Sequence, residues 1–247
     1  MIANIKGWAI NTRIITNKLN AEQKKALIAS LSAVINEDRQ GLLKQTLAKR
    51  TRYLTVVLED IYQAQNASAV IRSAECFGLQ DLHIIENRHE YLLNRKVVQG
   101  ASKWMEINRY KEKDKDNTRV CLKELKNKGY KIVAMTLREA SNDLDELTLD
   151  NKVALCFGSE ESGLTETAHG LADKFIKIPM CGFTQSLNLS VCAGITLFQL
   201  TRRLRESNIN WQLDEEDKIE LYIDWLSKST PTGKVLLERF VEAGASS

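Results

Sequence analysis

Three polar clusters in this chain carry residue types and spacings that could do chemistry. Asn66 precedes Arg72 by six residues, the run GSEESGLT occupies 158–165, and IPMCGFTQSLNLS occupies 178–190. A guanidinium presents a planar fork of donors suited to a phosphate or to negative charge growing on an oxygen, and it is a poor base because it keeps its proton to above about pH 12. The second run has the G-x-x-x-x-G spacing of a phosphate loop, but Leu164 stands where such a loop needs lysine, which argues against ATP or GTP. In the third, Pro179 and Gly182 restrict and release the backbone, and Thr184, Gln185, Ser186 and Asn188 crowd against an apolar segment.

Each cluster has an ordinary reading as well. Arg72 and Glu75 are spaced as a surface ion pair on a helix, 158–165 can be a plain turn, and Ser186 or Asn188 can simply cap the helix that follows. Other chemistries find less support. No G-x-G-x-x-G follows a strand, and His83, His89 and His169 have no metal-ligand spacing, so no metal is expected.

The surrounding pattern says what positions these clusters. LTVVLED (54–60), LHII (82–85), KIVAM (131–135), VALCF (153–157) and FIKI (175–178) read as buried strands. Between them lie helical segments, one beginning at an Asn66 cap and closing at Gly78, another spanning 119–128. Strands alternating with helices predict an α/β fold with a mostly parallel sheet covered on both faces. The segment 188–204 is apolar nearly all round until Arg202, which predicts burial against the sheet or a second subunit. Residues 20–50 have helical periodicity with a break expected at Gly41, and 214–240 give two more helices, the second starting at Pro231. The expected division is a helical extension over 1–52, a catalytic domain over 53–206 and a second helical extension over 207–247.

With 43% hydrophobic and 27% charged residues, the chain has the composition of a soluble globular protein. It lacks a secretory leader and a stretch of about 20 apolar residues, so a cytoplasmic location without membrane contact is expected. Its five cysteines are odd in number and widely spaced, which reads as reduced thiols rather than a disulfide set. A net charge of +3 is too small to argue for nucleic acid by itself. Local clusters matter more: Lys44, Lys49, Arg50 and Arg52; Arg88, Arg95, Lys96 and Lys103; and Arg202, Arg203 and Arg205.

In succession, NASAVIRSAECFG, VALCFGSEESGLTE and IPMCGFTQSLNLSVCAGI resemble the three signature motifs of SPOUT 2'-O-methyltransferases, in particular the TrmH-type tRNA guanosine enzymes. The resemblance covers roughly residues 40–205. It implies a trefoil knot at the carboxyl edge of the sheet, S-adenosylmethionine as methyl donor, tRNA as substrate and a homodimer. It places Arg72 as the catalytic arginine, Asn66 as the residue that holds it, and Glu160, Ser186 and Asn188 as polar site residues. Backbone atoms of Thr136, Gly158, Ile178 and Leu187 are implied as the donor's contacts, and Arg202 as a basic residue of the following helix. Lys49, Arg50 and Arg52 are expected to join Arg202 in meeting RNA phosphates. The resemblance points to the ribose of guanosine 18 in the tRNA D-loop. The competing readings are 2'-O-methylation of rRNA or of another tRNA position, and a non-catalytic RNA-binding protein that retains the fold.

Overall fold

The computed structural model describes residue 16 and residues 19–92, 94–138 and 141–244. Most of the sequence before residue 19, part of the expected N-terminal extension, therefore lies outside the described residues. In chain order come α1 (Ala21–Ser32), α2 (Glu37–Leu47), β1 (Leu54–Glu59), α3 (Ala64–Cys76), β2 (Asp81–Ile85), the single turn α4 (Arg95–Val98), β3 (Glu106–Tyr110), α5 (Asn117–Asn127) and β4 (Tyr130–Met135). The two-residue β5 (Asn142–Asp143), β6 (Lys152–Phe157), α6 (Glu166–Leu171), β7 (Lys174–Lys177), α7 (Leu189–Glu206), α8 (Glu215–Ser229) and α9 (Gly233–Gly244) follow. The described residues of 51–211 form one compact unit, and those before 51 together with those after 211 form another.

The larger unit is built on a seven-stranded sheet in the order β3-β2-β1-β6-β4-β7-β5, every pairing parallel. Its central strands are apolar at consecutive positions because both faces are covered. Leu54, Val56 and Leu58 of β1, with Val153, Leu155 and Phe157 of β6, pack against α3 and α7 through Val70, Ile71, Ala193 and Leu197. The alternate residues Val57, Ala154 and Cys156 face Cys121 and Leu122 of α5 and Ala168 of α6. Edge strand β3 went unread because its residues, EINRY, are all only half-buried and need not be apolar.

In the helical unit, the break falls at residues 33–36 rather than at Gly41, which lies inside α2. The Asn36 side chain accepts from the Arg39 N–H at 2.8 Å, so a cap starts a new helix before glycine could end the old one. Its core holds Leu27, Leu31, Leu43, Leu47 and Trp225. Pro231 stands two residues ahead of α9 rather than at its start.

One buried base gives the sheet a pH dependence. His83 on β2 is 3% exposed, its Nδ1 3.3 Å from the Tyr110 hydroxyl, and burial, helped by Lys128 and Arg52, lowers its pKa to about 3. The unfolded chain would accept a proton near pH 6.5 that the folded chain refuses. Stability from the neutral ring is thus complete above about pH 6.5 and is lost as the pH falls toward 3. Between pH 7 and pH 5 this is worth about 2 kcal/mol. Urea melts at the two pH values should show that difference shrinking in His83→Gln; an unchanged difference would assign the effect to other groups.

Candidate active site

The polar loops all leave the carboxyl edge of the sheet, the usual place for a ligand in a parallel α/β protein. Asn66 lies in the first turn of α3, three residues past the N-cap Gln63, instead of capping the helix. Its amide is engaged elsewhere. The Nδ2 donates to Glu160 Oε1 at 2.6 Å and to Gln63 Oε1 at 3.1 Å, while Oδ1 accepts from Asn188 Nδ2 at 3.2 Å. Three of the five expected catalytic residues therefore meet through one buried amide, whose partners lie 94 and 122 residues from it in sequence. Asn188 also caps α7, its Oδ1 accepting from the Ser190 N–H at 2.8 Å.

The other two stand outside that cluster. Arg72 is exposed on α3, two turns on from Asn66, and takes part in no hydrogen bond or ion pair among the described residues; the surface pair with Glu75 does not form. Ser186 is exposed and likewise has no hydrogen bond among the described residues. An unengaged guanidinium on the helix that the cluster anchors is available to a substrate phosphate or oxyanion.

The positions expected to hold the donor lie at the ends of neighbouring strands. Thr136 follows β4, Gly158 follows β6 and Ile178 follows β7; with Leu187 they are all half-buried. The Thr136 N–H donates to the Ile176 carbonyl at 3.0 Å, closing the ladder where the chain turns out of the sheet. The loop after β6 doubles back so tightly that a Cβ on Gly158 would lie 2.1 Å from the Gly163 carbonyl carbon and 2.2 Å from the Leu164 nitrogen. Only glycine fits there. The space a side chain would take is filled by the loop's own backbone, which keeps the turn tight where the chain leaves β6.

Two adjacent carboxylates that sequence reasoning passed over set the loops. Glu59, 1% exposed at the end of β1, accepts from the Thr165 N–H at 2.9 Å and the Thr165 hydroxyl at 2.8 Å, and also from the Thr118 hydroxyl. It pins the starts of α5 and α6, where helix N-termini favour a negative charge. Asp60, with φ 51, accepts from the backbone N–H of Asn87 and of Arg88 at 2.7 and 2.8 Å, fixing the loop after β2. The available signal was an acidic pair closing an otherwise apolar strand.

Two of the residues expected to meet RNA are committed elsewhere. Arg50 is 1% exposed with its guanidinium 5.2 Å from the Trp225 ring centroid, inside the helical unit. Arg52 is ion-paired with Asp81 and Glu106; burial opposes its charge, but the two carboxylates outweigh that and hold its pKa above the usual value. Neither can give a phosphate a free cation. Lys49 is exposed, and Arg202 is exposed in a solvated pair with Glu206 at 2.9 Å. Arg203 and Arg205 bind carbonyls, of Leu147 at 2.6 Å and Phe77 at 2.7 Å.

All five cysteines are free; Cys121 and Cys156 are buried, with thiol pKa values raised by burial, whereas Cys76 and Cys181 are exposed. Among the described residues no helix is long and apolar enough to cross a membrane.

Residues 53–198 match the SpoU rRNA Methylase family. A tRNA (guanosine(18)-2'-O)-methyltransferase of Borreliella burgdorferi is 43% identical over 198 residues, covering 80% of this chain and 88% of that protein. The protein of the same name from Thermus thermophilus is 31% identical over 194 residues, covering 78% and 97%. Among solved structures, the Aquifex aeolicus TrmH/SpoU tRNA modifying enzyme superposes with a TM-score of 0.70 at 30% identity, covering 78% of this chain and 98% of that one.

Proposed function

The chain belongs to the SpoU methylase family, and from that premise we propose that it transfers a methyl group from S-adenosylmethionine to the ribose 2'-oxygen of guanosine 18 in the D-loop of tRNA. The observation that carries this reading is the Glu160–Asn66–Asn188 hydrogen-bonded cluster with Arg72 unengaged on the same helix as Asn66. The names of the relatives supply the nucleotide. The test is transfer of labelled methyl to unmodified total tRNA and, separately, to rRNA, with mapping of the product. Label at guanosine 18 of tRNA is expected, and label in rRNA alone would contradict the assignment.

S-adenosylmethionine would supply an electrophilic methyl, and backbone atoms of Thr136, Gly158, Ile178 and Leu187 would hold it; the tight glycine-dependent turn at the end of β6 fits that use. The chain's own work is then positioning and electrostatics. Arg72 anchors the RNA phosphate and the negative charge developing on the 2'-oxygen. Asn66 fixes α3 against Glu160 and Asn188, so Arg72, on the same rigid helix, is presented at one angle. Ser186 is left to contact the substrate. The 2'-hydroxyl of a folded tRNA loop must be exposed to reach such a recess.

We assign catalysis to the sheet unit and capture of the tRNA body to the helical unit, with Lys49 of the helical unit and Arg202 of the sheet unit as exposed phosphate contacts. A trefoil knot is part of the same reading, supported by the passage of the chain from β6 across to β7 on the far side of β4. A cytoplasmic location fits a tRNA substrate and free thiols.

The active form is proposed to be a homodimer. On α7, Ala193, Leu197, Leu200 and Leu204 are buried against the chain's own sheet, yet Val191, Ile195 and Phe198, a second stripe at helical spacing, are 48%, 41% and 55% exposed. A two-fold pair through α7 would cover it. Light scattering at micromolar concentration should give twice the 28.0 kDa protomer mass, and Ile195→Glu should shift it toward the protomer. A 28.0 kDa species alone from the unaltered chain would refute the dimer.

A further inference from the structure

The chain between β2 and β3 carries three cations that the described residues leave unpaired. Arg88 follows β2, Arg95 and Lys96 lie on α4, all three are exposed, and none of their side chains takes part in a hydrogen bond or ion pair among the described residues. Arg52, Arg109 and Arg203, by contrast, are bound to carboxylates or carbonyls. The backbone that presents the unpaired cations is firmly held. Asp60 Oδ1 accepts from the Asn87 and Arg88 N–H groups at 2.7 and 2.8 Å, Glu86 Oε1 from the Tyr91 N–H at 2.7 Å, and the Ser68 hydroxyl from the Asn94 N–H at 3.1 Å. All three anchors are buried, so the segment is fixed through its amides while its basic side chains stay available.

The same segment borders Arg72. Its anchor Ser68 lies one turn before Arg72 on α3, α4 packs against α3, and Val98, Gln99 and Gly100 line an open pocket together with Arg72. Arg95 and Lys96 thus lie within one helical turn of the pocket lining. An aromatic surface stands at the other end of the segment. Tyr62, in the turn between β1 and α3, is 70% exposed, and the His89 ring meets it in a T-shaped pair with centroids 5.2 Å apart. Tyr62 adjoins Gln63, which accepts from Asn66 of the polar cluster. An exposed ring among unpaired cations suits an unpaired nucleic-acid strand, whose bases stack and whose phosphates need positive charge. We propose that this surface receives the unpaired strand of the RNA substrate, one base stacking on Tyr62 and the phosphates around it meeting Arg88, Arg95 and Lys96. This rests on the 2'-O-methylation reading and adds to it the surface along which the strand reaches Arg72.

Filter binding of tRNA transcripts tests both halves of the surface. One transcript is intact, and the others carry an abasic ribose at each unpaired D-loop position in turn. Against the intact transcript, Y62L should weaken binding roughly 5- to 150-fold, the cost of one lost base stack, and Y62F should keep most of the affinity. At one abasic position the unaltered chain should lose that same factor, whereas Y62L should lose nothing further, because the base it would have held is already gone. The triple variant R88Q/R95Q/K96Q should lower the log-log salt slope by about 2 to 3. Binding by Y62L as tight as that of the unaltered chain, a Y62L penalty that persists at every abasic position, or an unchanged slope in the triple variant would overturn the proposal. A chain that binds the intact transcript but transfers no methyl to it would overturn the functional reading instead, while the binding results still decide this one.

Discussion

Arg72→Lys should lower single-turnover methyl transfer on the order of 10²- to 10³-fold, the usual cost of losing one donor aimed at a developing oxyanion, while binding of the methyl donor stays nearly unchanged. Arg72 is exposed and makes no hydrogen bond or ion pair among the described residues, so its replacement removes nothing that the fold needs. Lysine keeps the charge and gives up the planar fork, which isolates geometry from electrostatics. Near-normal turnover by this variant, measured with saturating enzyme, would mean that a point charge suffices or that the arginine is not at the reacting oxygen.

Asn66→Ala should be almost as damaging by a different route. Its amide joins Glu160 at 2.6 Å to Asn188 at 3.2 Å, and a hydrogen bond to a carboxylate is worth ~1.5–3 kcal/mol. Loss of this junction frees the loop after β6 and the start of α7 from α3, and kcat/KM should fall on the order of 10- to 100-fold. The cost of Asn66→Ala and that of Glu160→Ala should not add: a cycle between them should return a coupling of ~1–3 kcal/mol. Additive losses would show that the two residues act separately. The melting temperature should fall by no more than roughly 3–10 °C, because the hydrophobic contacts of α3 through Val70, Ile71 and Ala74 remain.

The central strands were legible because burial on both faces demands unbroken apolar runs, and α3 ended where it was expected, with the Leu79 N–H closing on the Ala74 carbonyl at 2.9 Å past Gly78. The site was legible only in the order of its motifs. Nothing local to Asn66, Glu160 or Asn188 says that they touch, since the contact is made by the crossovers of the sheet. Periodicity was a weaker guide to breaks than capping chemistry, as Asn36 against Gly41 shows. Charge was the least legible property. Arg50, Arg52 and Lys49 look alike in sequence, yet the first is buried beside Trp225, the second is neutralised by Asp81 and Glu106, and only Lys49 faces water. Such partners lie 29 to 175 residues away, beyond any local pattern. Glu59 escaped notice for the same reason, because its value lies in reaching Thr118 and Thr165.

The reacting atom is the most exposed point of the proposal. Two tRNA transcripts, identical except that one carries 2'-deoxyguanosine at position 18, can be offered to the chain with labelled S-adenosylmethionine. Labelling of the native transcript with none above background in the deoxy transcript is the predicted result, and labelling of both at comparable rates would contradict it.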